Sequence, residues 1–527
     1  MSVVVRNSVT NAIATGSLVS GGALCTIVIA QMLGPHSLGV VSYATWLIGL
    51  AVIVADLGIP SALTRFLPEV LQTERGGEED GARVSDGLTA ALMRAFASAV
   101  AAVMLVCGVV VAGLVLSDPG GRTGIGIDPD DYLHNPLFWG LVAVGTGGQS
   151  LVVLALGLLR GRQEFGRLAR IASASALLQI LATAVGTALF GISGAIAGAA
   201  FLGAIPGIFL VLSLRRGGAI EKPLRTRVVR YCGTYWVSYL LQAVTNTRTE
   251  IFFLARSFGT EAVALFSIGV TLANIAVQVP ILLTGSLLPH ISQHMAAGDH
   301  ARAADLYRTS LRIMAMMAFP ACLGVAAIAP ILIPLLYGKG FVDAVLPAAI
   351  LMGASAASAL ASVAQIYMNA AERNVFSIGA GLAGAAAVVV SGLLLVPLYG
   401  VLAAALVRGG VQLFTAGFSL WYVQRHLGAP APLGIIARIL CAAFVCAGAA
   451  YCFVLLIPGP ASLLVAIPVS IVTYLVALRL FSCLTFEDLA SIDRMSGALP
   501  RPLSSAVKGI LRLYTDKTLR VGKRLPG

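Results

Sequence analysis

The chain has 527 residues, of which 58% are hydrophobic and 11% charged, and its mean hydropathy is +0.92. Soluble proteins carry about 25% charged residues, so an ordinary water-soluble enzyme is excluded. The formal net charge of +12 is not gathered on one module with interleaved aromatic residues, so no nucleic-acid partner is expected.

A bilayer core roughly 30 Å thick takes a helix of about 20 mostly apolar residues. Such stretches follow one another from Asn11 to Phe481. They predict an all-α polytopic membrane protein with about 14 transmembrane helices. The expected spans are 11–33, 39–66, 87–116, 136–159, 171–190, 193–214, 231–257, 262–288, 309–336, 346–368, 375–397, 401–423, 437–457 and 462–482. The opening MSVVVRNSVTN runs into a full-length span ending at Gly34-Pro35, and is read as the first helix rather than a cleavable signal. Gaps as tight as Gly191-Ile192 and Tyr399-Gly400 require antiparallel hairpins. The seventh span is the least apolar, with Thr245, Asn246, Arg248 and Glu250 inside it.

The connections set the orientation. RGRQEFGRLAR (160–170) and RRGGAIEKPLRTRVVR (215–230) are strongly basic, whereas 118–135 holds Asp118, Asp128, Asp130 and Asp131 against a single Arg122. Positive charge stays inside, so both termini are expected in the cytoplasm, and the expected setting is a bacterial inner membrane. The 118–135 connection is too short to fold as a domain of its own, which favours a conduit over a membrane enzyme acting on lipid-linked glycans.

The two halves of the chain correspond in order. LGPHSLGVVSYATW (33–46) matches FGTEAVALFSIGVT (258–271), and FLPEVLQ (66–72) matches LLPHISQ (287–293). Further on, GLLRGRQEF (157–165) answers IYMNAAERN (366–374), and LFGISGAIAGAA (189–200) answers LYGVLAAALVRG (398–409). This predicts a duplicated transporter. A six-helix bundle at 1–214 and a basic linker at 215–230 precede a second bundle at 231–424. An extra helix pair at 437–482 and a tail at 483–527 complete it.

The opening LGPHSLGVVSYATWLIGLAVIVADLGIPSALTRFLPEV (33–70) resembles the polysaccharide-transporter branch of the multidrug/oligosaccharidyl-lipid/polysaccharide exporter superfamily, the branch of the oligosaccharide flippases. FGTEAVALFSIGVTLANI (258–275) and LYGVLAAALV (398–407) are similar to that family too. The resemblance implies a flippase that carries a polyprenyl-diphosphate-linked oligosaccharide or exopolysaccharide unit across the membrane by alternating access. Implied partners are that lipid-linked saccharide, membrane lipids, and the polysaccharide polymerase and export machinery. The family often places an Asp near the position of Glu250, and many members have 12 helices. Fourteen helices are similar to lipid II flippases, whose extra pair forms part of a lipid groove. A lipid II flippase and a multidrug/cation antiporter of the same superfamily are the alternatives.

An ionised side chain near the bilayer centre costs about 2.5–3.5 kcal/mol on insertion scales and is a functional candidate by default. The candidates are Arg248, Arg65, Arg94 and Arg408 for substrate, and Glu250 and Asp56 for ion coupling. A guanidinium bonds phosphate oxygens bidentately, which suits a diphosphate head. The competing roles are inner-face snorkelling or helix packing for Arg65, Arg94 and Arg408, and a structural ion pair with a neighbouring helix for Arg248. Asp56 and Glu250 either bind a coupled proton or cation, or compensate an arginine. On one straight helix Arg248 and Glu250 point about 160° apart, so only one faces a cavity unless the helix unwinds.

Other motifs are weaker. His290 and His294 lie one helical turn apart without the acidic partner of a metalloprotease motif, and read as a solvated helix end. Seven of the eight cysteines lie in apolar segments and none forms a C-x-x-C, so they read as packing residues. No phosphate loop is visible and no cofactor is expected. Energy is expected from a proton or cation gradient or from the membrane potential. In the tail, Val507, Ile510, Leu511 and Tyr514 recur at helical spacing beside Lys508, Arg512 and Lys517, the pattern of a helix lying on an anionic leaflet, with a partner-binding tail as the alternative.

Overall fold

The structure is a computed structural model and describes residues 3–75, 80–117, 127–128, 130–213, 222–246, 248–282, 287–371, 374–457 and 459–483. The expected tail helix and most of the 118–135 connection lie outside the described residues. Fifteen α-helices follow in order. They are α1 Val3–Asp56, α2 Ile59–Arg75, α3 Asp80–Ser117, α4 Pro136–Gly161, α5 Phe165–Phe201, α6 Ala204–Ser213, α7 Lys222–Asn246 and α8 Glu250–Leu282. Then come α9 Leu287–Ala296, α10 His300–Tyr337, α11 Val345–Ala370, α12 Asn374–Leu394, α13 Val396–His426, α14 Leu433–Leu456 and α15 Ala461–Leu480. Short 3-10 turns occupy Tyr132–His134 and Lys339–Ala344, and no strand occurs among the described residues.

The two longest apolar segments are paired spans. Thr10–Asp56 is 47 apolar-rich residues, about 70 Å as one helix and more than twice the bilayer core. The backbone leaves helical geometry at Gly34 (φ 77°, ψ −175°), directly before Pro35. The 46 residues Phe165–Leu210 break likewise at Gly191 (φ 58°, ψ −129°). There a Cβ on Gly194 would overlap the Gly186 carbonyl, and one on Gly198 would press into Thr183. The partners are symmetric about the break, which makes α5 an antiparallel hairpin closed by small residues.

Among the described residues, ten segments are long and apolar enough to cross a membrane. Dividing those two at their breaks, and adding α7 and α12, accounts for the fourteen expected spans. The chain is a multi-pass all-α membrane protein. Its surface agrees: α3 turns Leu105, Val106, Val109 and Leu116 outward, a contiguous apolar face that only lipid or a partner would cover.

The glycines aligned by the sequence correspondence share backbone conformations. Gly259 in α8 has φ 77° and ψ −170°, matching Gly34, and Gly400 in α13 has φ 60° and ψ −137°, matching Gly191. All four φ values lie in the left-handed region that glycine enters without a Cβ penalty. Within the first repeat α1 packs on α5 and α4, and within the second α11 packs on α13 and α10. The helix pair α14 and α15 leans on α10. The repeats meet mainly where α1 packs on α8, through a core that joins Leu38, Val40 and Tyr43 to Val263, Phe266 and Tyr337.

Two expected spans are interrupted. The second, 39–66, ends its first helix at Asp56, breaks at Leu57 (φ 49°) and Gly58 (φ 72°), and continues along α4 as α2. The seventh, 231–257, is broken between Asn246 and Glu250, with Arg248 at φ 61°.

The alternating basic connections yield an expected topology. In a cysteine-free background, a thiol at Asp130 should react with a membrane-impermeant reagent in intact cells. A thiol at Arg225 should react only after permeabilisation. Reversed labelling would invert the orientation.

Candidate functional site

Where the repeats meet, a cavity of about 520 Å³ is enclosed by both arms of α1, by α4 and α5, and by α8. Its wall carries hydroxyls and amides, among them Thr26, Thr45, Gln149, Gln179, Thr271 and Asn274. Thr26, Thr45 and Thr271 satisfy their donors on backbone carbonyls of their own helices, leaving lone pairs to accept. Trp46 Nε1 and Ser267 Oγ, on two further lining residues, are buried without a hydrogen-bond partner. Arg248 alone among the lining residues is charged.

Arg248 reaches the wall because the helix unwinds. Asn246 ends α7, Arg248 takes a left-handed backbone that a side chain rarely adopts, and Glu250 starts α8. Such conformations cost about 1–3 kcal/mol and persist where the surroundings hold them. Unwinding removes the straight-helix constraint on the pair. Glu250 is fully buried away from the cavity, and its Oε2 lies 3.4 Å from Nη1 of Arg408, itself 11% exposed. The other carboxylate oxygen, Oε1, has no hydrogen-bond partner. Arg248 interacts electrostatically with Arg408, Glu250 and Tyr337. With both guanidinium groups charged and Glu250 ionised, the cluster carries one net positive charge.

The remaining candidates lie elsewhere. Arg65, exposed on α2, stands 4.8 Å above the ring of Tyr231 on α7, where Tyr231, Tyr235 and Tyr239 stack along one face. Beside it Arg227 forks onto Glu69 at 3.1 and 3.4 Å, tying α7 to α2. Arg94 is exposed on α3, with Nε on the Ala90 carbonyl of its own helix. Asp56 is buried and accepts the Gly58 N–H at 2.8 Å, which caps the break between α1 and α2. Arg65, Arg94, Arg408, Asp56 and Glu250 are not among the cavity-lining residues.

The end of the cavity beside the 118–135 connection is sealed by groups that sequence reasoning missed. His36, just past the Gly34 break, bonds Asp130 through Nε2 and Thr260 through Nδ1, each at 2.9 Å. One residue thus joins both repeats and the 118–135 connection. Three positions on, a Cβ at Gly39 would overlap the Thr260 carbonyl. Tyr132 buries its ring against Tyr43 and Phe138, and burial pushes its phenol pKa up, with Tyr43 adding to the shift. The short-turn match of 33–46 to 258–271 was the signal for this seal. Its partner, Asp130, carried none.

The match to the family described as polysaccharide biosynthesis protein covers residues 4–295, more than half of the chain. The chain belongs to that family. Among curated protein sequences none matches it. The lipid II flippase MurJ in an inward closed conformation superposes with a TM-score of 0.70 at 13% identity, over 89% of this chain and 98% of that one. An inward-facing multidrug resistance MATE family transporter of the MOP superfamily gives 0.64 at 12%, over 79% and 95%. A MOP superfamily transporter from Pyrococcus furiosus, described by the reverse polarity of its binding pocket, gives 0.55 at 13%, over 81% and 95%. At these identities the likeness is one of fold: this family member is built as MOP exporters are.

Proposed function

We propose that this chain is a flippase of the oligosaccharide branch, moving a polyprenyl-diphosphate-linked saccharide outward across the bacterial inner membrane. The observation that carries the reading is Arg248, the charged residue of a hydroxyl-lined cavity between two repeats. A diphosphate cannot cross about 30 Å of hydrocarbon bare, and a guanidinium fork replaces its water. Sugar hydroxyls suit the Thr, Ser, Gln and Asn wall, and the polyprenyl tail stays in the bilayer. A cation antiporter would want a carboxylate at that wall, and both intramembrane carboxylates are committed elsewhere, Glu250 beside Arg408 and Asp56 to the Gly58 amide.

Both termini lie in the cytoplasm in this reading, with polymerase and export machinery consuming the product outside. No nucleotide is needed. The membrane potential supplies about 2.3 kcal/mol per elementary charge per 100 mV, and an inside-negative potential drives an anionic head outward.

The test is translocation of a polyprenyl-diphosphate-linked oligosaccharide in proteoliposomes with an imposed potential. We expect protein-dependent transfer several-fold faster with the potential than after its collapse. Transfer no faster than in protein-free vesicles would end the flippase reading. Equal rates with and without the potential would end the coupling alone.

A further inference from the structure

The cavity's positive charge depends on a residue that does not line it. Glu250 sits two positions from Arg248, and the two interact electrostatically. An arginine beside a buried carboxylate ordinarily pairs with it, because an uncompensated buried charge is costly. Here the carboxylate is engaged by α13 instead. Arg408 approaches Glu250 Oε2 from a position 158 residues away in sequence, and Arg408 is nearly as buried as its partner. No ion pair of Arg248 within 4.0 Å occurs among the described residues. Its side chain points at the cavity while Glu250 Oε1 stays unbonded.

We infer that Arg408 is a positioning residue: it neutralises Glu250, and so leaves the Arg248 guanidinium free to face the anionic head of the substrate. The inference rests on the proposed function for its ligand and on the geometry alone for its mechanism. Two arginines and one glutamate form a divided set, in which one arginine is structural and the other available. Removing Arg408 collapses the division, because Glu250 then competes with the substrate phosphate for Arg248. Removing both Arg408 and Glu250 restores it. A purely structural role for Arg408 predicts the opposite, with the double variant no better than the single.

Two measurements separate the mechanism from its ligand. The first is labelling of Arg248 by phenylglyoxal, which attacks an unpaired guanidinium, in the full chain in nanodiscs, read by mass spectrometry. Labelling is expected to fall at least about fivefold in Arg408→Gln and to return within about twofold of wild type in Glu250→Gln/Arg408→Gln. Arg408→Lys keeps one charge beside Glu250 and disturbs packing least, so it should label like wild type even if Arg408→Gln fails to accumulate. The second is binding of a short-chain polyprenyl diphosphate, expected to weaken about tenfold in Arg408→Gln (~1.4 kcal/mol) and to recover in the double variant. Unchanged labelling in Arg408→Gln, or lost labelling in Arg408→Lys or the double variant, overturns the inference. The expected labelling pattern without diphosphate binding by wild type upholds the positioning and overturns the diphosphate reading.

Discussion

Arg248→Ala is expected to abolish translocation while the protein accumulates normally in the membrane. The residue lies in a helix break, so truncation removes no helical turn and relieves a left-handed side chain. What is lost is the charged group of the cavity wall. A hydrogen bond to a charged partner contributes about 1.5–3 kcal/mol, and a bidentate fork makes two. Even one such bond at the midpoint of crossing corresponds to a rate loss of roughly 10- to 150-fold. Arg248→Lys keeps the charge without the fork and should recover a minor part of the activity. Export at the wild-type rate by the alanine variant would remove this residue from the substrate path.

A comparable loss is expected at Gly39, for a steric reason. The α1 and α8 backbones approach there so closely that any side chain meets the Thr260 carbonyl, beside the His36 bond to the same residue. Overpacking costs about 1–3 kcal/mol, enough to depopulate the state sealed at this end by roughly 5- to 150-fold. Gly39→Val should therefore stall the cycle with the cavity open toward the 118–135 side. A cysteine at Ser42 in the Gly39→Val background should react with an external impermeant thiol reagent faster than in the parent. Gly16→Ala on the same helix, with open space around its Cβ, should change neither transport nor labelling. Slow external labelling in Gly39→Val would show that this contact is not a seal.

The fold was largely legible because its signals are local. Hydropathy placed the spans, and Gly34-Pro35 and Gly191 marked hairpins because glycine and proline announce broken helices. The break at 246–250 has neither, only Thr245-Asn246-Thr247, so tertiary packing rather than propensity unwinds that helix. Nothing in the sequence foretells Leu57 in a left-handed conformation, so the helix break that Asp56 caps was not legible. The site was half legible. A membrane arginine is conspicuous in composition, and Arg248 stood out. That Arg408 rather than Arg248 takes Glu250, and that Arg65 leans over Tyr231, are pairings set by how helices meet, 158 and 166 positions apart.

The two repeats agree at Gly34 and Gly259 but not at Arg248. The shift that superimposes those glycines sets Arg248 against Ala23, inside an unbroken stretch of α1. The charge for the cargo therefore belongs to one half only, and in the proposed cycle that makes the halves unequal workers. A head anchored at Arg248 rides as a passenger of the second half, while the first half slides past it offering hydroxyls and amides. Those neutral contacts trade with water at little cost, so the strongest bond need not be broken in mid-crossing. Departure then hinges on a single anchor at the far side, and loading and unloading become the slow events of the cycle rather than the passage between them.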